Sequence, residues 1–89
     1  MGDQYRRKAE RARDSIAKLQ TEKGRLATKI AGLQRQLNTA SQAASRTKSV
    51  STMQSKLREA ERKSKEIAST EGKIADVEKK IGAENKKLS

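Results

Sequence analysis

Residues 45–56 read SRTKSVSTMQSK, and the apolar residues on either side of them fall into two helical phases that do not join. On the N-terminal side, steps of four and three pick out Tyr5, Ala9, Ala12, Ile16, Leu19, Lys23, Leu26, Ile30, Leu33, Leu37 and Ala40. That is a heptad seam with one charged member, Lys23. Continuing this phase reaches Ala44, Thr47 and Ser51. On the C-terminal side the phase restarts at Val50 and runs through Met53, Leu57, Ala60, Ser64, Ile67, Glu71, Ile74, Glu78, Ile81, Asn85 and Leu88. One of its columns, Met53 to Leu88, stays apolar, and the other turns polar after Leu57. Val77 lies one position off that second column, as if the buried face drifted along a straighter helix.

Between the two phases, Ser51 and Gln54 match a capping box, and Ser49 offers another cap. The serine and threonine oxygens there can accept hydrogen bonds from the free N–H groups of a new helix. The expectation is a single unit over residues 1–89: a helix over about 4–42, a loop over about 43–49 and a helix over about 50–88. Helices of nearly equal length joined by a short connection fold back on each other. The expected fold class is therefore all-α, an antiparallel two-helix coiled-coil hairpin about 55 Å long at about 1.5 Å per residue. A single continuous helix in a parallel dimer would instead be a rod of roughly 130 Å.

Folding about Ser45 pairs Leu37 with Met53, Leu33 with Leu57, Ile30 with Ala60 and Ile16 with Ile74. It sets Lys23 next to Glu71, as a cross-seam ion pair or as two charges extended to solvent. The expected seam is Ile16, Leu19, Leu26, Ile30, Leu33 and Leu37 against Met53, Leu57, Ile67, Ile74 and Ile81. Ala68, Ala75 and Gly82 line one flank of helix 2, with Thr70 and Val77 on the other. Small residues there allow close approach of another helix, and a hairpin this thin gains from a second copy, so a dimer forming a helical bundle is expected.

Composition limits function. One aromatic residue in 89, no cysteine, no histidine and no proline leave no material for a conventional globular core, a disulfide or a thiolate–imidazole metal site. The glycines are scattered through helical patterns, with no phosphate-cradling loop or nucleophile elbow. A two-helix seam encloses no ligand-sized cavity. Catalysis and cofactors are not expected. No apolar run spans a bilayer, the start of the chain is charged rather than signal-like, and a cytoplasmic location is the expectation.

The formal net charge of +11 attracts acidic partners in principle. It divides as +6 over residues 1–40, +2 over 41–50 and +3 over 51–89. A nucleic-acid or other anionic-surface binder is the alternative function, although no aromatic platform is available for base stacking. An amphipathic membrane binder has less support, because the apolar stripe is narrow and lacks Trp and Phe.

The stretch SRTKSVSTMQSKLREAERKSKEI, followed by KIADVEKKIGAENKKL, resembles the coiled-coil region preceding the TIR domain of some bacterial TIR-domain proteins. The matching residues are Thr47, Ser49, Ser51, Thr52, Ser55, Lys56, Leu57, Glu59, Arg62 and Lys63. The resemblance covers residues 45–88 and extends to 1–44 only in general character. It implies an accessory role: oligomerising or controlling an NAD-cleaving TIR effector, in some cases linked to antiphage defence. The catalytic domain of such proteins is absent from these residues, so no catalytic residue carries over. Arg46, Thr47, Lys48, Ser49, Ser51, Thr52, Ser55 and Lys56 are the expected interaction tip, a contact for another subunit or an anionic ligand.

Overall fold

Ala, Leu, Lys, Arg, Gln and Glu dominate both halves of the chain and all favour the helix, and no proline interrupts them. The computed structural model describes residues 2–89. Its two helices are α1 (Gly2–Arg46) and α2 (Val50–Lys86), packed against one another as an all-α hairpin measuring 73 × 14 × 13 Å. The length matches the rise of one 45-residue helix, about 68 Å, and excludes the continuous rod. It exceeds the expected 55 Å because α1 begins earlier and ends later than its heptads suggested.

The loop is only Thr47–Ser49, not 43–49. Ala43, Ala44 and Ser45 stay helical, the Thr47 N–H still donates to the Ala43 carbonyl at 3.2 Å, and Arg46 places a cation in the last turn, where it complements the helix dipole. Helix 2 starts on Ser49 and not on Ser51. Ser49 has extended backbone at φ −84°, ψ 119°, and its hydroxyl oxygen accepts from the Thr52 N–H at 3.3 Å. No Glu or Gln stands at the third helical position to return the bond. Thr47 does so from the other side, its Oγ1 accepting from the Ser49 N–H at 3.2 Å. Replacing Ser49 with alanine should cost about 1 kcal/mol of stability, read as a lowered midpoint in urea with an unchanged slope.

In α1 the seam follows the expected phase. Ala9, Ala12, Leu33, Ala40 and Ala44 are buried, Ile16, Leu19, Leu26, Ile30 and Leu37 are half-buried, and the phase runs on through half-buried Thr47. Tyr5 and Lys23 lie outside the covered face.

In α2 one column is corrected. Met53, Ala60, Ile67, Ile74, Ile81 and Leu88 are all covered, but their partner column is Lys56, Lys63, Thr70, Val77 and Glu84. The expected column of Val50, Leu57, Ser64, Glu71, Glu78 and Asn85 is exposed throughout; Leu57 is 51% exposed and Val50 65%. Val77, 3% exposed, therefore marks no drift: the whole column sits one residue earlier. Lysines can occupy it because their aliphatic stems lie along the seam while the ammonium groups reach water. Thr70 can occupy it, at 2% exposed, because its Oγ1 donates to the Glu66 carbonyl at 2.7 Å and so leaves no unpaired hydroxyl.

The pairing of the helices moves as well. Lys23 meets Glu78, at 3.7 Å between Nζ and Oε1, rather than Glu71, one heptad earlier. Near the loop, Ala40 and Ala43 share a groove with Lys56 and Glu59. Toward the open end, Ser15 and Leu19 share one with Lys80 and Glu84. A turn centred on Lys48 instead of Ser45 slides helix 2 along helix 1 in this sense.

Candidate interaction surfaces

Five of the nine buried residues are alanines. A small side chain disappears between two helices, whereas a leucine or isoleucine needs cover from a third direction. That is why most of the large seam residues remain half-exposed along both edges.

The seam divides the outer surface into two broad faces and two narrow outer edges. One broad face carries the two grooves just described and is called here the groove face. The other carries the Lys23–Glu78 ion pair. The two faces differ sharply in charge. On the groove face α1 presents Lys8, Arg11, Lys18, Arg25, Lys29 and Arg46, and α2 adds Arg62, Lys73, Lys80 and Lys87, all exposed. Its carboxylates are Glu22, Glu59, Glu66 and Asp76. Ten cations against four anions leave six positive charges.

The ion-pair face holds three cations, Arg6, Arg13 and Lys23, against the five carboxylates of Asp3, Glu10, Glu61, Glu71 and Glu78, two negative charges net. Along α1 its one charge from Ala17 to Ser45 is Lys23 at the seam edge, and the stripe otherwise passes Gly24, Ala27, Ala31, Gln34 and Asn38. Along α2 it carries the exposed Val50 and Leu57, then Ala68, Ala75 and Gly82 between the glutamates. Of the two flanks expected for helix 2, the Ala68–Ala75–Gly82 flank is open to solvent. Thr70 and Val77 are enclosed within the hairpin and unavailable to another chain.

At the tip, the structure gives Thr47 and Ser49 a local task, since both hydroxyls bond the backbone at the start of α2. Arg46, Lys48, Ser51, Thr52 and Ser55 are exposed, while Thr47 and Lys56 are half-buried. Lys56 belongs to the seam column and pairs with Glu59 at 3.4 Å. The tip residues thus separate into a cap (Thr47, Ser49), a seam position (Lys56) and an exposed remainder. The contrast between the broad faces was not visible until the phase of α2 was known, because a shift of one residue moves Leu57 and the glutamates from the seam to the surface.

Among the described residues no group of three or more His, Cys, Asp or Glu side chains is placed to hold a metal ion, and no helix is long and apolar enough to cross a membrane. The grooves are shallow and open along their length, the one near the loop lined by Gly32, Arg35, Gln36 and Thr39 beside the alanines already named. No family model, curated protein or solved structure matches the chain.

Proposed function

We propose that this chain is an interaction module that associates with a second copy of itself through the ion-pair face, forming a helical bundle. The observation that carries this reading is the long stripe of α1, Ala17 to Ser45, whose one charge is the paired Lys23, lying beside the uncovered Val50 and Leu57 of α2 in a molecule where 37% of residues are charged. Small residues let another helix approach closely, and the half-exposed edges of Ile30, Leu37 and Ile74 would gain the third-direction cover that a single hairpin lacks. The face is 73 Å long and two helices wide, roughly 1,400 Å² at about 10 Å per helix, and a standard interface needs about 800 Å² per partner. Charge is compatible with a two-fold contact: each copy offers Arg6 and Arg13 from α1 and Glu61, Glu71 and Glu78 from α2.

Size-exclusion chromatography with light scattering, at low salt and at ~0.5 M salt, tests the reading. The expected result is a particle of at least twice the 9.9 kDa chain mass at both salts, because burial of small and apolar groups is little screened. Leu57→Lys combined with Ala27→Glu should return it to the chain mass with helicity intact. A monomer at both salts would overturn the reading.

The resemblance over residues 45–88 supports a narrower form of the proposal, in which the assembled hairpin controls a TIR-domain NAD-cleaving effector carried on the same protein. It rests on the Ser/Thr signature, of which Thr47 and Ser49 have a structural use and Ser51, Thr52 and Ser55 do not. Alanine at those last three positions should leave helicity unchanged. A changed assembly state would then give the tip a part in it, and an unchanged one would remove the tip from this proposal.

A further inference from the structure

We propose that the groove face binds the backbone of double-stranded nucleic acid, independently of whether the opposite face pairs two copies. The first ground is the segregation of charge: one broad face carries six positive charges net, and the other two negative. Cations scattered only for solubility would have no reason to avoid a face. The second ground is what the cations are doing. Among the described residues the recorded ion pairs use Lys23, Lys56, Lys65 and Lys87, and none of the nine arginines has a carboxylate within 4.0 Å. Arg11, Arg25 and Arg62 therefore present unoccupied guanidinium forks on the groove face, a geometry suited to phosphate oxygens.

The third ground is shape and chemistry. A rod 73 Å long spans the axial rise of roughly twenty base pairs at about 3.4 Å each, and meets the phosphates where the strands wind past it. One ring, Tyr5 at the open end, makes no platform for successive unpaired bases, which disfavours a single strand, and the exposed Val50 and Leu57 lie on the other face, which disfavours an anionic membrane. With phosphate contacts and no base-reading element, binding should be indifferent to sequence.

Fluorescence anisotropy with a labelled 20-base-pair DNA of arbitrary sequence tests this. For about five phosphate contacts, the logarithm of the association constant should fall with log salt at a slope near −4 to −5. Two variants of equal net charge then separate a face effect from a bulk one. Arg11→Gln, Lys18→Gln, Lys73→Gln and Lys80→Gln together remove four charges from the groove face, and affinity should drop by roughly 30-fold or more with a shallower slope. Arg7→Gln, Thr21→Glu, Thr28→Glu and Gln42→Glu change net charge by the same amount along the exposed outer edge of α1, away from both broad faces, and the loss should stay within about three-fold. Circular dichroism checks both; should the first set not fold, Arg25→Gln, Lys29→Gln, Arg62→Gln and Lys87→Gln replace it. Equal losses from both sets would overturn the proposal. So would no binding to the duplex, tighter binding to a single strand of the same length, or binding to phosphatidylserine vesicles but not to the duplex.

Discussion

Alanine at Gly24, Gly32, Gly72 and Gly82 should raise the stability of the hairpin by about 2–4 kcal/mol in total, at about 0.5–1 kcal/mol per site. All four lie within helices and outside the seam, and a methyl group added at any of them meets nothing within 4 Å. The gain comes from the unfolded chain, which loses conformational freedom when glycine becomes alanine while the native contacts stay as they were. For a chain of this size, 1 kcal/mol corresponds to about 4–8 °C in Tm, so the fourfold variant should melt on the order of 10–25 °C higher by circular dichroism. No gain would mean that these glycines are not in regular helix in solution. Made in pairs, the substitutions also probe assembly. Gly32 and Gly72 lie off the ion-pair face, and their alanines should stabilise at every concentration. Gly24 and Gly82 lie on it, so if a second copy packs closely there, their alanines should stabilise the dilute chain and weaken association.

The hairpin was legible in the sequence because α1 announces its phase twice. Both of its seam columns are apolar for most of their length, and the break in phase near Val50 has no other economical explanation than a turn. Helix 2 announces only one column. Its second holds Lys56, Lys63, Thr70, Val77 and Glu84, and the adjacent column begins with Val50 and Leu57, which looks more apolar by residue type. Hydropathy assigns a lysine to the surface as a unit, whereas burial acts on its atoms separately, so a stem can line a seam whose head is in water. The loop boundary was misplaced for a related reason: nothing between Ala40 and Arg46 breaks a helix, and only the bonds made by the Thr47 and Ser49 hydroxyls fix where the chain turns. The charge contrast between the faces depends on that phase, so it emerged only with the fold, even though every charged residue was in view from the start.

The two phases for α2 make opposite predictions at single positions. Leu33→Ala should cost about 2–4 kcal/mol, because Leu33, 6% exposed, is among the few large side chains the hairpin buries and its removal opens a gap between helices that carry few other large contacts. Ile67→Ala should cost a similar amount, Ile67 lying in the column that both phases share. Leu57→Ala is the discriminating change. Had Leu57 faced Leu33 across the seam, its loss would match the loss of Leu33. Half-exposed on the ion-pair face, it should change the stability of the dilute monomer by no more than about 0.5 kcal/mol. The same substitution should matter where two hairpins meet, since Leu57 is one of the largest uncovered apolar groups on the face proposed to pair. Urea unfolding of Leu33→Ala and Leu57→Ala at low and high protein concentration reads both effects: a large, concentration-independent loss for the first, and a loss confined to high concentration for the second. Equal losses at low concentration would return Leu57 to the seam. They would also move Glu61, Glu71 and Glu78 off the face that distinguishes the two sides of the molecule.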